Sequence, residues 1–215
     1  MHPLEKLREM YQEAELNPEL KPYYIVQNGI PMIKHPLVFS IFHTDIQNYI
    51  INKQFEWKKK EVKEALRKGK WGSFIFLHER PYRLEAFASI AHKIKDSKVY
   101  WDIIGDIWVD SENIWQNKDV WKYFLENGPE RNKEYFMSEE DREVFKSLPD
   151  KITVYRGYQP RKNKGGFSYT LSKEKAEWFA KRFGKDGKVI TREVNKKDVF
   201  AYKNSRNEQE IIILN

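Results

Sequence analysis

Two acidic residues stand directly before an apolar run near the end of the chain. The segment Glu208-Gln209-Glu210 is followed at once by Ile211-Ile212-Ile213-Leu214. If this stretch is a strand, residues two apart share a face, and two carboxylates lie about 7 Å apart at ~3.3 Å per residue. Desolvating such a pair is costly, and placing like charges together costs more. The pair therefore indicates chemistry or a bound cation, although a charged loop before a strand would have the same sequence.

The composition predicts a folded protein of one large or two small domains. The chain has 215 residues, of which 40% are hydrophobic and 15% aromatic, enough for a substantial core. It contains no cysteine, so neither a disulfide nor a cysteine-ligated metal is expected. No apolar run approaches the ~18 residues of a membrane span, and no secretory leader is visible after Met1. We therefore expect a cytoplasmic protein with no membrane partner and no metal.

Positive charge is concentrated in the last third of the chain. Residues 151–215 carry 16 Lys and Arg against 7 Asp and Glu, whereas residues 1–150 carry 23 against 25. A basic segment suits an anionic ligand such as a dinucleotide, or nucleic acid. A solvated basic surface would give the same counts, so a nucleic-acid partner is the less favoured of these interpretations.

The pattern changes from helical to strand-rich near residue 150. Before that point, turn signals fill residues 23–36, and periodicity predicts helices at residues 4–16, 37–67, 101–108, 120–125 and 139–147, with another from residue 81. The helix at residues 139–147 starts at a capping box on Ser138 and stops before Pro149. Beyond it we predict a helix capped by Ser172, and strands at residues 152–155, 167–171, 188–194, 199–203 and 208–214. The prediction is an α+β fold, with a mostly helical region at residues 1–150 and a second region at residues 151–215.

Three motifs of the second region occur in an order typical of one enzyme class. They are Val154-Tyr155-Arg156-Gly157, Phe167-Ser168-Tyr169-Thr170 and Glu208-Gln209-Glu210. In this order they resemble the ADP-ribosyltransferases of the Arg–Ser–Glu class. In that class an Arg ends a first strand, a Ser lies on a second, and a Glu-x-Glu opens a later one. The resemblance covers roughly residues 152–214, and the general character of the sequence suggests a phage-encoded or prokaryotic protein.

The resemblance implies a split β-sandwich with NAD as co-substrate. The implied activity is mono-ADP-ribose transfer to a protein acceptor, with release of nicotinamide. The acceptor would be a host protein in the host cytoplasm if the chain is phage-encoded. Other functions remain open: an NAD glycohydrolase, an enzyme that modifies nucleic acid, or a basic binding module without catalysis.

By the same resemblance, four residues would bind NAD. Arg156 would clamp the diphosphate with its forked guanidinium, a geometry that Lys lacks. Ser168 would hydrogen-bond the catalytic glutamate and steady it, and Thr170 shares its strand face. Tyr169 could stack on nicotinamide or adenine. The chain departs from the family pattern here, because Tyr169 is not small and Leu171 replaces a third hydroxyl.

The acidic pair would carry the catalysis. The resemblance assigns Glu210 to the 2′-hydroxyl of the nicotinamide ribose, where it would stabilise the developing cation. Glu208 would orient or deprotonate the acceptor, and a Glu at this position accompanies arginine as acceptor in the family. The segment at residues 203–207 would recognise the acceptor.

Two polar clusters in the first region, at residues 78–83 and 106–117, lack metal-ligand spacing. We interpret both as packing or interdomain features, with recognition of a macromolecular target as the alternative.

Overall fold

The chain forms two compact units that divide after Lys93. The structure, a computed structural model, describes residues 12–112, 114–160, 162–182, 184 and 186–214. One unit is Met1–Lys93 and the other is Ile94–Asn215. The predicted boundary at residue 150 therefore falls inside the second unit. Helices before this point share a core with the later strands, since the rings of Trp101 and Phe136 lie 5.9 and 5.2 Å from that of Phe200.

Among its described residues, the first unit combines a three-stranded antiparallel sheet with three α-helices. The sheet order is β1-β2-β3. The buried core of this unit consists of Leu20, Ile33, Leu37, Val38, Ile51 and Phe55. The elements are β1 (Tyr24–Gln27), β2 (Ile30–His35), β3 (Val38–Ile41), α1 (Asn48–Arg67), α2 (Trp71–Phe76) and α3 (Arg83–Ile90).

The sheet of the first unit corrects two sequence-based predictions. The sequence predicts turns over residues 23–36, but β1 and β2 occupy most of this range, and its turns are Asn28-Gly29, which connects β1 to β2, and Pro36, which begins the connection to β3. Asn28 and Gly29 both have positive φ, 54° and 78°, as a tight hairpin turn requires. The helix predicted from residue 37 starts at Asn48 instead, because β3 uses the preceding apolar residues. The helix predicted at residues 4–16 lies largely outside the described residues, and residues 12–16 form no helix.

Along the described residues of the second unit, three α-helices precede the first strand of its sheet, and a fourth α-helix lies in sequence between two of its strands. Both serines cap their helices as predicted: Ser138 Oγ accepts a hydrogen bond from the amide of Asp141, and Ser172 Oγ accepts one from Lys175. The acidic half of the predicted capping box serves another purpose, because Asp141 Oδ1 accepts from the amide of Asn204 at 3.0 Å. The helices are α4 (Ser97–Asp110), α5 (Lys118–Glu126), α6 (Glu139–Ser147) and α7 (Lys173–Lys181). The strands are β4 (Lys151–Tyr158), β5 (Ser168–Thr170), β6 (Lys188–Asn195), β7 (Ala201–Lys203) and β8 (Glu210–Ile212).

The sheet of the second unit is antiparallel, with the order β6-β4-β5-β8-β7. Strands β4 and β6 pair along their whole length, from Lys151↔Asn195 to Tyr158↔Lys188. The central strand β5 is three residues long, and it pairs with β4 through Tyr155↔Thr170 and with β8 through Ser168↔Ile212. Together the two units give the predicted α+β class.

The strand that carries the acidic pair is shorter than predicted. It starts at Glu210, and Gln209 has a φ of +48°, so Glu208 lies in the preceding turn and not on the strand. No helix within the described ranges is both long and apolar enough to cross a membrane.

Candidate active site

All six residues that the sequence singled out line one cavity of the second unit. The cavity has a volume of about 200 Å³. Strands β4, β5 and β8 are adjacent in the sheet, so residues far apart in sequence meet there. The six residues are Arg156, Ser168, Tyr169, Thr170, Glu208 and Glu210.

Arg156 is buried on β4, with 8% of its surface exposed. Its Nη1 donates to the backbone oxygen of Ser168, and its Nη2 donates to that of Asn163 at 2.7 Å. Its Nε is buried without a hydrogen-bond partner. Burial lowers the pKa of Arg156, while nearby Tyr169 and Glu210 raise it. The guanidinium therefore joins β4 to β5 and to the loop that connects these two strands, and its Nε remains an unused donor.

Two glycines allow this packing around Arg156. A Cβ on Gly166 would lie 2.0 Å from Nη2 of Arg156, and one on Gly157 would lie 2.0 Å from the backbone oxygen of Ala176 in α7. Contacts this short do not occur in folded proteins, so any side chain would displace its neighbours. Gly157 follows Arg156 in the first motif because β4 touches the backbone of α7 at that point.

Ser168 and Thr170 lie on the same face of β5 and serve different purposes. Thr170 is paired with Glu210 across the ladder, and Ser168 with Ile212, so the side chain of Ser168 is diagonal to that of Glu210. The Ser168 hydroxyl donates a hydrogen bond to the Glu210 carboxylate. The Thr170 hydroxyl donates to the backbone oxygen of Glu208 at 2.7 Å and accepts from the amide of Ser172 at 3.0 Å. Thr170 thus fixes the turn that carries Glu208.

Tyr169 points to the opposite face of β5 from its two neighbours. It is 5% exposed, and its hydroxyl accepts a hydrogen bond from Arg192 at 3.1 Å. The Arg192 guanidinium lies 5.6 Å from the centre of the ring. Because this leaves little of the ring uncovered, the predicted stacking role suits Tyr169 poorly.

Glu210 is a buried carboxylate with several partners. It is 5% exposed, and its Oε2 accepts a hydrogen bond from the indole Nε1 of Trp108 at 3.1 Å. Burial raises the pKa of Glu210, whereas the bond from Ser168, the charge of Arg206 and the bond from Trp108 lower it. Glu208 adds a further rise as a like charge. These contacts fix one carboxylate in a site of low dielectric.

Trp108 is held rigidly where it meets Glu210. It lies on α4, is fully buried, and packs edge-to-face against Trp121 and Phe136, at centroid distances of 5.0 and 5.9 Å. An indole surrounded in this way cannot turn its N–H aside. The sequence interpretation had treated residues 106–117 as packing features, so this polar contact was missed.

Arg206 sits between the two carboxylates of the acidic pair. Its Nη2 lies 3.4 Å from Oε2 of Glu208 and 3.9 Å from Oε2 of Glu210. Its Nη1 donates to the backbone oxygen of Ser111 at 3.4 Å. The side chains of Arg206 and Glu208 are 35% and 26% exposed. The two carboxylates are thus close together, as predicted, although a turn and not a strand brings Glu208 there.

Further residues complete the cavity wall. Trp115 is 40% exposed and has the Lys118 ammonium 5.4 Å from the centre of its ring, and Phe179 of α7 packs edge-to-face against Trp178 at a centroid distance of 5.0 Å. Trp178 is 57% exposed and lies under the guanidinium of Arg182. The additional wall residues are Glu112, Ile114, Trp115, Tyr155, Gly157, Asn163, Phe179 and Arg182. The local excess of Trp and acidic residues at 108–115 was the available signal.

The cavity combines anionic, cationic and aromatic groups, which suits a polar ligand with a ring. Within the described part of the chain, no three His, Cys, Asp or Glu side chains are grouped so as to hold a metal ion. No family model matches the sequence, and comparison with curated proteins and with solved structures finds no significant match. The likeness to ADP-ribosyltransferases therefore rests on the three motifs and on the cavity that they share.

Proposed function

We propose that this protein is a mono-ADP-ribosyltransferase that moves ADP-ribose from NAD to a protein acceptor, at arginine, and releases nicotinamide. The observation that carries the proposal is the position of Glu210. This carboxylate is buried, receives hydrogen bonds from Ser168 and Trp108, and shares a cavity with Arg156 and Glu208. This arrangement brings together residues of all three sequence motifs, those of Arg156, of Ser168 and of the acidic pair.

Glu210 is suited to stabilising positive charge. NAD supplies a glycosidic bond to nicotinamide, and the ribose becomes oxocarbenium-like as that bond breaks. A carboxylate fixed beforehand in a site of low dielectric interacts strongly with such charge, since little reorganisation is needed. The rigid Trp108 and the Ser168 hydroxyl hold the oxygens of Glu210 in place, while a raised pKa is the cost of this burial.

Arg156 and the cavity fit the nicotinamide end of NAD best. The unpartnered Nε of Arg156 and the remaining Nη protons can donate to phosphate oxygens. A volume of about 200 Å³ is below the ~300–1,000 Å³ typical of drug-sized ligands. We therefore expect the nicotinamide and its ribose to enter the cavity, with Trp115 or Phe179 as the stacking surface instead of Tyr169.

Glu208 is placed to act on the acceptor. It is the more exposed of the two carboxylates, with 26% of its side chain accessible against 7% for Glu210. An acceptor arriving from solvent therefore meets Glu208 first. Its ionised form can orient a guanidinium and take up the proton that the attacking nitrogen loses.

The test is transfer of label from NAD to protein. The purified protein is incubated with NAD labelled in the adenylate part and with a cell lysate. We expect label on protein with the wild type and its loss with Glu210→Ala. Glu193→Ala is the matched control, because Glu193 lies in the same sheet with 63% of its side chain exposed. Absence of both labelling and nicotinamide release with the wild type would refute the proposal.

A second variant separates transfer from hydrolysis. Glu208→Gln should retain nicotinamide release from NAD while transfer to arginine falls at least tenfold. Equal loss of both activities would contradict the role of Glu208. Nicotinamide release without labelled protein in the wild type would identify an NAD glycohydrolase. Label on nucleic acid, or salt-sensitive DNA binding unaffected by Glu210→Ala, would favour the two remaining alternatives.

A further inference from the structure

A guanidinium of the protein itself already lies against the two carboxylates that line the cavity. Arg206 Nη2 lies 3.4 Å from Glu208 and 3.9 Å from Glu210, and its Nη1 donates to the backbone oxygen of Ser111. Three acceptors from two chain segments thus surround one planar cation. An arginine acceptor that uses Glu208 as its base needs the same contacts.

The turn that carries Arg206 is fixed by its own hydrogen bonds. Asn204 holds both ends of it, since its backbone oxygen accepts from Asn207 at 2.7 Å and its Oδ1 accepts from Gln209 at 3.0 Å. The amide of Asn204 is in turn bonded to the buried Asp141 at 3.0 Å. Asn207 and Gln209 both have positive φ, 54° and 48°. Because the backbone is held, the side chain of Arg206 starts from a defined position.

Electrostatics explains why this place needs a cation. Glu208 and Glu210 repel each other, and burial raises the pKa of Glu210 while Arg206 lowers it. Without a positive group, the acidic pair would bear an uncompensated charge in a partly dry cavity.

Arg206 is also exposed enough to leave. Its side chain and that of Glu208 are 35% and 26% exposed, and ion pairs of this exposure are weak, at about 1 kcal/mol or less. A guanidinium from solvent can therefore exchange with it.

We propose that Glu208, Glu210 and the Ser111 carbonyl form a guanidinium-binding site that Arg206 occupies in the ligand-free protein and that an acceptor arginine occupies during transfer. Arg206 is thus an internal competitor of the acceptor and sets its apparent affinity. The identity of the acceptor rests on the proposed function, whereas guanidinium binding can be measured without NAD.

The first experiment measures binding of agmatine, a small guanidino compound, in the absence of NAD. Calorimetry or thermal shift is applied to the wild type, Arg206→Ala and Arg131→Ala. Arg131 is exposed in the same unit and lies outside the set of residues that line the cavity, so its removal is the matched control for charge. We expect agmatine to bind Arg206→Ala about fivefold more tightly than either other protein, as loss of one weak competing ion pair implies. Adding Glu208→Gln to Arg206→Ala should abolish the gain.

The second experiment measures agmatine as acceptor with saturating NAD. Arg206→Ala should lower the KM for agmatine about fivefold with little change in kcat, while Arg206→Lys, which keeps a charge but loses the fork, should fall between. A purely structural role would lower kcat and thermal stability without improving binding. Equal agmatine binding by wild type and Arg206→Ala would overturn the inference. If tighter binding is found but no protein transfers ADP-ribose, the guanidinium site stands and the proposed function fails.

Discussion

The contact between Trp108 and Glu210 makes a prediction about stability that is independent of catalysis. Trp108→Phe removes the indole N–H that donates to Oε2 of Glu210 at 3.1 Å and retains most of the aromatic packing. Hydrogen bonds to charged groups contribute ~1.5–3 kcal/mol, against ~0.5–1.5 kcal/mol for neutral pairs. We therefore expect a loss of about 2 kcal/mol in unfolding free energy from this bond wherever Glu210 is ionised.

The sign of the pH dependence follows from the raised pKa of Glu210. The folded protein binds this proton more tightly than the unfolded chain does, because burial disfavours the carboxylate. The cost of the buried charge is therefore full above the folded-state pKa, shrinks as pH falls from that pKa towards the pKa of the unfolded chain, and is gone below the latter. Trp108→Phe raises the pKa further, so its destabilisation should be larger at pH 8 than at pH 5.

A neighbouring tryptophan provides the control. Trp101 lies on the same helix, is fully buried, and donates through Nε1 to the backbone oxygens of Pro129 and Arg131 at 3.0 and 3.2 Å. Trp101→Phe makes the same change in volume but removes bonds to neutral acceptors. Urea unfolding of both variants and the wild type, from pH 5 to pH 8, should show pH-dependent destabilisation for Trp108→Phe alone. Parallel curves for the two variants would refute the reasoning.

Other substitutions test the remaining parts of the site. Glu210→Gln, which removes a buried charge, should abolish transfer yet raise the unfolding free energy at pH 8 by about 1 kcal/mol, whereas the exposed Glu193→Gln should change it by less than ~0.5 kcal/mol; a destabilised Glu210→Gln would count against the electrostatic argument. Gly157→Ala should cost ~1–3 kcal/mol in urea unfolding because its Cβ would meet the backbone of α7. Gly72→Ala, with nothing within 4 Å of its Cβ, should be nearly neutral, and equal effects would contradict this account. Ser172→Ala should lower the unfolding free energy by about 1 kcal/mol, because α7 loses its N-terminal cap. Ser147→Ala, at the C-terminal end of α6, should lower it by less, and thermal melts compare the two variants.

Local signals in the sequence predicted much of the second unit. The capping serines Ser138 and Ser172 gave the starts of α6 and α7, because a hydroxyl before a helix satisfies a free amide whatever the tertiary context. The β-rich runs gave the strands, and the motif order gave the residues that line the cavity. These features depend on short-range chemistry, which the sequence displays directly.

The errors arose where tertiary packing decided the outcome. Residues 38–41 are mostly apolar and lie at the start of the helix predicted over 37–67, but pairing with β2 makes them a strand. The change of composition at residue 150 marks a change of secondary structure, whereas the core is shared across it. The role of Trp108 depends on Glu210, which is 102 positions away in sequence, and hydrophobic periodicity does not predict so distant a contact. Likewise, the positive φ of Gln209 removed Glu208 from the strand.

The shortness of β5 has a mechanical consequence for the site. Its three residues connect the long β4–β6 ladder, which carries Arg156, to the β7–β8 hairpin, which carries Glu210. The ladder between β4 and β5 is the weakest of these connections, because it consists of the single pair Tyr155↔Thr170, whereas β8 pairs over three residues with β5 and with β7. We therefore expect the sheet to open between β4 and β5, so that Arg156 separates from Glu210, when a ligand larger than the resting cavity enters.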